Sequence, residues 1–79
     1  MDKDEILKQV NCIFVDIFEN ENLKLTADST ANNVEGWDSL THIQLVVAME
    51  KKFKVRFTSK EIQSWTNVGK IVDNISTEL

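Results

Sequence analysis

Apolar residues return every three or four positions between Asp4 and Phe18, at Ile6, Leu7, Val10, Ile13, Phe14, Ile17 and Phe18. At ~100° per residue they fall within an arc of about 140°, which predicts an amphipathic helix with Cys12, Val15 and Asp16 off its core face. Asp2, Asp4 and Glu5 stand near its start, where the helix dipole favours negative charge. The period then lapses. From Glu19 to Trp37 the chain is rich in Asn, Asp, Glu, Ser and Thr, and this predicts a connector near the upper length for a compact domain. Leu23, Leu25, Val34 and Trp37 are its expected anchors onto the helices, with a short turn around Asp28 to Ala31.

Helical spacing resumes at Ser39 and lasts to about Phe53. Taking Ser39 as zero and stepping ~100°, His42, Leu45, Val46, Met49 and Phe53 fall together as one core stripe. Leu40, Ile43 and Val47 fall on a different face, with Gln44, Glu50 and Lys51 nearby. A helix docked on one side leaves this second stripe at least partly uncovered, and an apolar stripe with a polar border has the character of a docking surface. The alternative is that the connector or the last helix covers it. Lys54-Val55-Arg56-Phe57 alternates polar and apolar, as an extended link with Val55 and Phe57 inward would. Thr58 and Glu61 have the spacing of a capping box, followed by a short third helix to about Trp65. Asn67 is placed to cap a last helix carrying Val68, Ile71, Val72, Ile75 and Leu79 on one face. Gly69 inside that helix costs about 1 kcal/mol relative to alanine, so a close approach to a neighbour is expected there. The expected fold is all-α: a small four-helix bundle, three main helices plus the short third, with a long loop between the first two. Residues 1–79 read as a single domain.

Composition supports that outline. The 79 residues include no proline and two glycines, which permits long helices and disfavours a meander of tight turns. With 42% hydrophobic and 28% charged residues the chain reads as soluble and globular. Cys12 is the one cysteine, which rules out an intrachain disulfide and fits a reducing compartment. No stretch is long enough to cross a bilayer, and Met1-Asp2-Lys3-Asp4-Glu5 is not a basic signal region, so a cytoplasmic monomer is the expectation. The net charge of −4 is unevenly spread: residues 1–50 carry ten acids and three bases, residues 51–79 three acids and six bases. An acidic first half argues against nucleic-acid binding, which needs a positive footprint. Glu19-Asn20-Glu21-Asn22 lacks the ordered spacing of a calcium loop, and no metal is expected.

The candidate chemistry lies at Gly36-Trp37-Asp38-Ser39-Leu40, where the connector meets the most apolar helix. Asp38, Ser39 and His42 supply the residue types of a hydrolytic triad, but His42 falls about 60° further round the helix among core residues, and the chain lacks room for a substrate cleft and an oxyanion hole together. No enzyme is expected. Asp38 and Ser39 are both good N-cap residues. A phosphodiester on Ser39 would sit where helix N–H groups and the dipole favour negative charge, and the stripe that begins at Leu40 adjoins it. Ser39 therefore reads as an attachment point.

This segment, with the Leu45-Val46-Val47-Ala48-Met49-Glu50 run, Phe53, Val55, Phe57, and the frame of Val68, Val72 and Ile75, resembles the phosphopantetheine-attachment region of acyl carrier proteins over nearly the whole chain. The resemblance implies that Ser39 bears 4′-phosphopantetheine, transferred from coenzyme A by a separate phosphopantetheinyl transferase that Asp38 contacts directly or through its metal. It implies that Leu40, Ile43 and Val47 meet acyl- or aminoacyl-loading and acyl-transfer enzymes, with Gln44, Glu50 and Lys51 as polar contacts. His42, Val46 and Met49 would lie near an interior that a tethered acyl chain can enter. The cargo would be an acyl or aminoacyl thioester. Thr41, Gln44, Lys51 and Lys52 depart from the acidic second helix usual in fatty-acid synthesis, and residues 51–60 hold five bases and no acid. A specialised pathway, such as polyketide, aminoacyl or envelope-component assembly, is therefore expected over general fatty-acid synthesis. The competing expectation is an unmodified helical adaptor that docks through Leu40, Ile43 and Val47.

Overall fold

The computed structural model describes residues 2–79. Four helices follow in order: α1 (Lys3–Phe18), α2 (Ser39–Phe53), α3 (Ser59–Gln63) and α4 (Val68–Glu78). Each begins at a side-chain cap that satisfies a backbone N–H the helix itself cannot pair. Asp2 accepts from the Glu5 N–H at 2.9 Å, Thr58 from Glu61 at 3.2 Å, and Asn67 from Lys70 at 2.9 Å. The expected Thr58–Glu61 box is complete, since the Thr58 N–H donates to Glu61 Oε1 at 2.9 Å. The third helix ends at Gln63, earlier than expected, where the Ser64 N–H and hydroxyl both donate to the Glu61 carbonyl.

α1 packs against both α2 and α4. Its Ile6, Val10, Ile13 and Phe14 are buried with Leu45, Val46, Met49 and Phe53 of α2 and Val68, Ile71, Val72 and Ile75 of α4. Burying side chains of this kind stabilises by about 1.5–3 kcal/mol each before chain entropy is counted. Leu79, expected on the α4 core face, is exposed because the helix ends at Glu78 and its last residue only caps it.

The connector is tied down at three places. Leu25, Val34 and Trp37 are buried, with Leu23 half-buried. Asn11 on α1 clasps the loop backbone, donating to the Leu23 carbonyl at 3.2 Å and accepting from the Leu25 N–H at 2.8 Å. The loop then crosses the start of α4, where Val68 and Gly69 donate their N–H groups to the Ser29 and Ala27 carbonyls at 2.9 and 2.8 Å. A Cβ on Gly69 would lie 3.0 Å from the Ala27 oxygen, which is the close approach the glycine permits. Two turns, Thr26–Ser29 and Thr30–Asn33, replace the single expected turn. Each is braced by its own side chains, Ser29 Oγ to the Thr26 N–H and Asn33 Oδ1 to the Thr30 N–H.

Candidate functional site

Gly36 has φ +91°, a left-handed conformation that side chains other than hydrogen rarely adopt, and it turns the chain into α2. Asp38 is the N-cap. Its Oδ1 accepts from the Thr41 N–H at 3.0 Å, while Thr41 Oγ1 accepts from the Asp38 N–H at 2.8 Å. The Thr41 hydroxyl proton can then go to the Gly36 carbonyl at 2.9 Å, which fastens the entering turn to the first turn of the helix. These bonds to Thr41, its backbone N–H above all, hold the Asp38 carboxyl below its ordinary value, so it is anionic at neutral pH.

Because Asp38 does the capping, Ser39 has no such task. It is the first residue of α2, is exposed, and its hydroxyl makes no hydrogen bond among the described residues. Beside it opens a cleft of about 630 Å³ lined by Thr30, Ala31 and Asn32 of the loop, Trp37 to Ser39 with His42, and Trp65 and Thr66 after α3. Trp37, His42 and Trp65 stand at its inner side with ring centroids 6.1 and 5.7 Å apart, and the row continues into the core through Phe14, 5.1 Å from Trp37, and Phe57, 5.0 Å from Trp65.

His42 joins three segments. The Trp37 indole N–H reaches His42 Nδ1 at 3.0 Å, and His42 Nε2 lies 3.2 Å from the Ile62 carbonyl. An indole nitrogen can only donate and a carbonyl can only accept, so this network requires the neutral tautomer with the proton on Nε2. Both ring nitrogens are committed. The imidazole therefore has none left to activate the Ser39 hydroxyl, and the triad arrangement is excluded by geometry as well as by spacing. Among the described residues no group of three or more His, Cys, Asp or Glu could hold a metal ion.

The other residues singled out in the sequence divide into groups. Leu40, Ile43 and Val47 are uncovered, at 67%, 61% and 45% exposure, so neither the connector nor α4 hides that stripe. Gln44 and Lys51 are exposed beside it. Glu50 turns inward instead: its Oε2 accepts from the Phe57 N–H at 3.0 Å and pins the link between α2 and α3. Val46 and Met49, at 6% and 0% exposure, are packed into the core and do not line the cleft, whereas His42 does. Trp65, Thr66, Thr30 and Asn32 were not singled out from the sequence, because their approach to Ser39 depends on how the loop and α3 close over the bundle.

The surroundings of Ser39 fit a phosphate-linked group: a free exposed hydroxyl, a helix N-terminus behind it, and open space alongside. Residues 8–75 match the family described as "Phosphopantetheine attachment site". Acyl carrier proteins from Cyanidium caldarium and Exiguobacterium sibiricum are 32% and 28% identical to the chain. The first match covers 92% of this chain and 85% of that relative, the second all of both. The solution structure of the holo acyl carrier protein from Geobacter metallireducens superposes with a TM-score of 0.87 at 33% identity, covering 92% of this chain and 84% of that one. The chain belongs to the acyl carrier family of phosphopantetheine-attachment domains. It is a carrier and not a catalyst: covalently attached 4′-phosphopantetheine supplies a terminal thiol that holds an acyl group as a thioester, and separate acyl-processing enzymes act on it. No helix among the described residues is long and apolar enough to cross a membrane.

Proposed function

We propose that Ser39 is the residue that carries the arm, and that the carrier serves a specialised assembly pathway, building polyketide, aminoacyl or envelope components, in preference to general fatty-acid synthesis. The observation that carries the first part is the division of labour between neighbours: Asp38 caps α2 and leaves an exposed, unbonded Ser39 hydroxyl beside an open cleft. In the transfer, Ser39 Oγ forms the new oxygen–phosphorus bond as the pyrophosphate bond of coenzyme A breaks. Adenosine 3′,5′-bisphosphate leaves, and the serine proton passes to a base of the transferase. The anionic Asp38 carboxylate, held outward by the Thr41 N–H, offers that enzyme or its metal a fixed negative contact. The exposed Leu40, Ile43 and Val47, bordered by Gln44 and Lys51, are the docking stripe for the enzymes that load and unload the arm. Glu50, tied to Phe57, supports this stripe from its edge and is not a free polar contact.

The preference for a specialised pathway rests on charge. α2 has no acid in its first turn and carries Lys51 and Lys52 in its last, with Lys54, Arg56 and Lys60 following. This surface suits partners with acidic rims. The same reading has the protein working as a single-domain monomer in the cytoplasm, a reducing compartment in which Cys12 stays a thiol.

The test is intact mass after incubation with coenzyme A and a broad-specificity transferase. The expected result is a gain of one phosphopantetheine on the native chain and none on Ser39→Ala, whose folding stability stays within about 0.5 kcal/mol because the side chain is exposed and unbonded. A gain that persists in Ser39→Ala would place the arm elsewhere.

A further inference from the structure

The chain builds two capping boxes, and they are wired in opposite senses. At α3 the hydroxyl stands at the N-cap, Thr58, and the carboxylate at the third helical residue, Glu61. At α2 the carboxylate stands at the N-cap, Asp38, and the hydroxyl at the third residue, Thr41. A carboxylate only accepts, whereas a hydroxyl both accepts and donates. Thr41 Oγ1 uses both abilities: it accepts from the Asp38 N–H at 2.8 Å, and its proton has the Gly36 carbonyl as nearest acceptor at 2.9 Å. With the Thr41 N–H on Asp38 Oδ1 at 3.0 Å, one residue holds the turn into α2 at three points. Oδ2 is the carboxylate oxygen that Thr41 does not hold, and it is the one left for an outside group.

Ser39 and Asp38 depend on this network differently. Ser39 lies inside α2, so the helix backbone places it. Asp38 lies outside, in extended conformation at φ −129° and ψ −170°, and its backbone is fastened to the helix through the Thr41 hydroxyl. Gly36 and Asp38 are exposed, so water can replace the hydroxyl at either bond at small cost in stability. Water does not replace its aim, and a contact misplaced by about 1 Å can slow a reaction by ~100-fold. We infer that Thr41 is a positioning residue for attachment of the arm: its hydroxyl fixes the turn that aims the Asp38 carboxylate at the transferase. The inference rests on Ser39 as the attachment residue and Asp38 as the transferase's contact, and it adds the residue through which that contact is set. Thr41 itself touches none of the reacting atoms, and a change there leaves the side chains of Leu40, Ile43 and Val47 in place for docking. The loss therefore falls on turnover.

The experiment follows phosphopantetheine transfer from coenzyme A to the full chain by a broad-specificity transferase, with intact mass identifying the product and initial rates giving kcat and KM for the carrier. Thr41→Val removes the hydroxyl and keeps the shape, Thr41→Ser keeps the hydroxyl, and Thr41→Ala removes it while its higher helix propensity offsets the lost bonds. Valine and alanine are expected to lower kcat about ten-fold with KM changed by less than about two-fold, and serine to restore the native kcat. The valine change is repeated in Asp38→Asn, in which asparagine still caps the helix. There it should cost less than about two-fold further, because a residue that acts through the carboxylate has nothing left to aim. An unchanged kcat in valine and alanine, a loss confined to KM, a serine variant as slow as valine, or the full loss repeated in Asp38→Asn would each overturn the positioning role. Should valine not fold, alanine takes its place in both backgrounds. A native chain that gains no mass, or a gain that persists in Ser39→Ala, would instead overturn the attachment reading and this inference with it.

Discussion

At the scale of single residues the site depends on which side chain takes which hydrogen bond. Asp38 and Ser39 can each cap a helix, and the chain assigns the task to Asp38 by placing Thr41 three residues on, where each satisfies the other's backbone N–H. Had Ser39 been the cap, its oxygen would be occupied by the helix and turned from solvent. Glu50 shows the reverse case. A charged residue on the rim of an exposed stripe looks available to a partner, yet its carboxylate is used to satisfy the Phe57 N–H, in a link where that donor has no other acceptor. Glu50→Ala leaves the N–H of a buried residue unpaired and should cost about 1–3 kcal/mol. Urea denaturation checks this, and a shift under about 0.5 kcal/mol, the size of an ordinary surface substitution, would mean that solvent replaces the carboxylate.

At the scale of elements, the loop and the start of α4 are interdependent, because the first two N–H groups of α4 are satisfied by loop carbonyls while Asn67 takes the third. Gly69→Ala therefore sets two effects against each other. Helix propensity gains about 1 kcal/mol, but the new methyl presses on an Ala27 oxygen that the Gly69 N–H itself holds in place, and such overpacking costs about 1–3 kcal/mol. The net expectation is a loss of about 1 kcal/mol by thermal or chemical denaturation, and a gain in stability would show the loop to be compliant. Between α3 and α4 the Trp65 indole donates to Asn74, and Asn74 donates to Glu61 at 2.8 Å. The Thr58 N–H in particular holds the Glu61 carboxyl below its ordinary value, while the hydrogen bond and negative charge of Glu61 push the Glu78 carboxyl up from 4.5. A raised carboxyl contributes stability that is present below its unfolded-state value and lost as pH rises through the folded one. Glu78→Gln should therefore raise the melting temperature at neutral pH, with the advantage shrinking as pH falls toward the ordinary carboxylate range; an advantage equal at all pH values would remove Glu61–Glu78 repulsion as its cause. These contacts mark what the sequence can and cannot disclose. The extents of α1 and α2, the Thr58–Glu61 box, the Asn67 cap and both faces of α2 were legible because they rest on spacings of three and four residues, whereas the end of α3 was not, since it is set by Ser64 turning back to the Glu61 carbonyl. The Asp38–Thr41 box was equally local, and its D-x-x-T spacing after Gly36 was the signal that would have found it. The Asn11 clasp, the His42 bridge to Ile62 and the cleft wall from Trp65 join residues many positions apart, and no periodicity encodes which polar atom meets which.

At the scale of the molecule, a bundle of 28 × 24 × 21 Å leaves little distance between the attachment site and any other part of its surface, so partner choice has to be written in charge and exposed apolar area. The apolar stripe Leu40–Ile43–Val47 runs down α2 from the cleft toward a surface groove of about 420 Å³ lined by Val47, Glu50, Lys51, Lys54, Val55 and Arg56. Its cations stand opposite in sign to the acids that dominate residues 1–50. At physiological ionic strength, with a Debye length of about 8 Å, such exposed charges act on a partner mainly at short range. Exposed charges at a rim act mainly on encounter rate and on discrimination between partners, and little on the stability of the complex once formed. Reversing Lys51 and Lys52 to Glu therefore should leave folding nearly unchanged apart from a loss of favourable charge at the C-terminal end of α2, worth about 0.3–1 kcal/mol for each lysine. It should raise the rate at which enzymes of general fatty-acid synthesis, whose usual carriers present an acidic second helix, load the holo chain. The check is kcat/KM for malonyl loading of wild-type and reversed holo proteins at low and high salt. A several-fold gain at low salt that collapses at high salt is the expected signature of steering, because only the long-range part of the interaction is screened. Equal rates for the two proteins at both salt concentrations would remove Lys51 and Lys52 as determinants of partner choice.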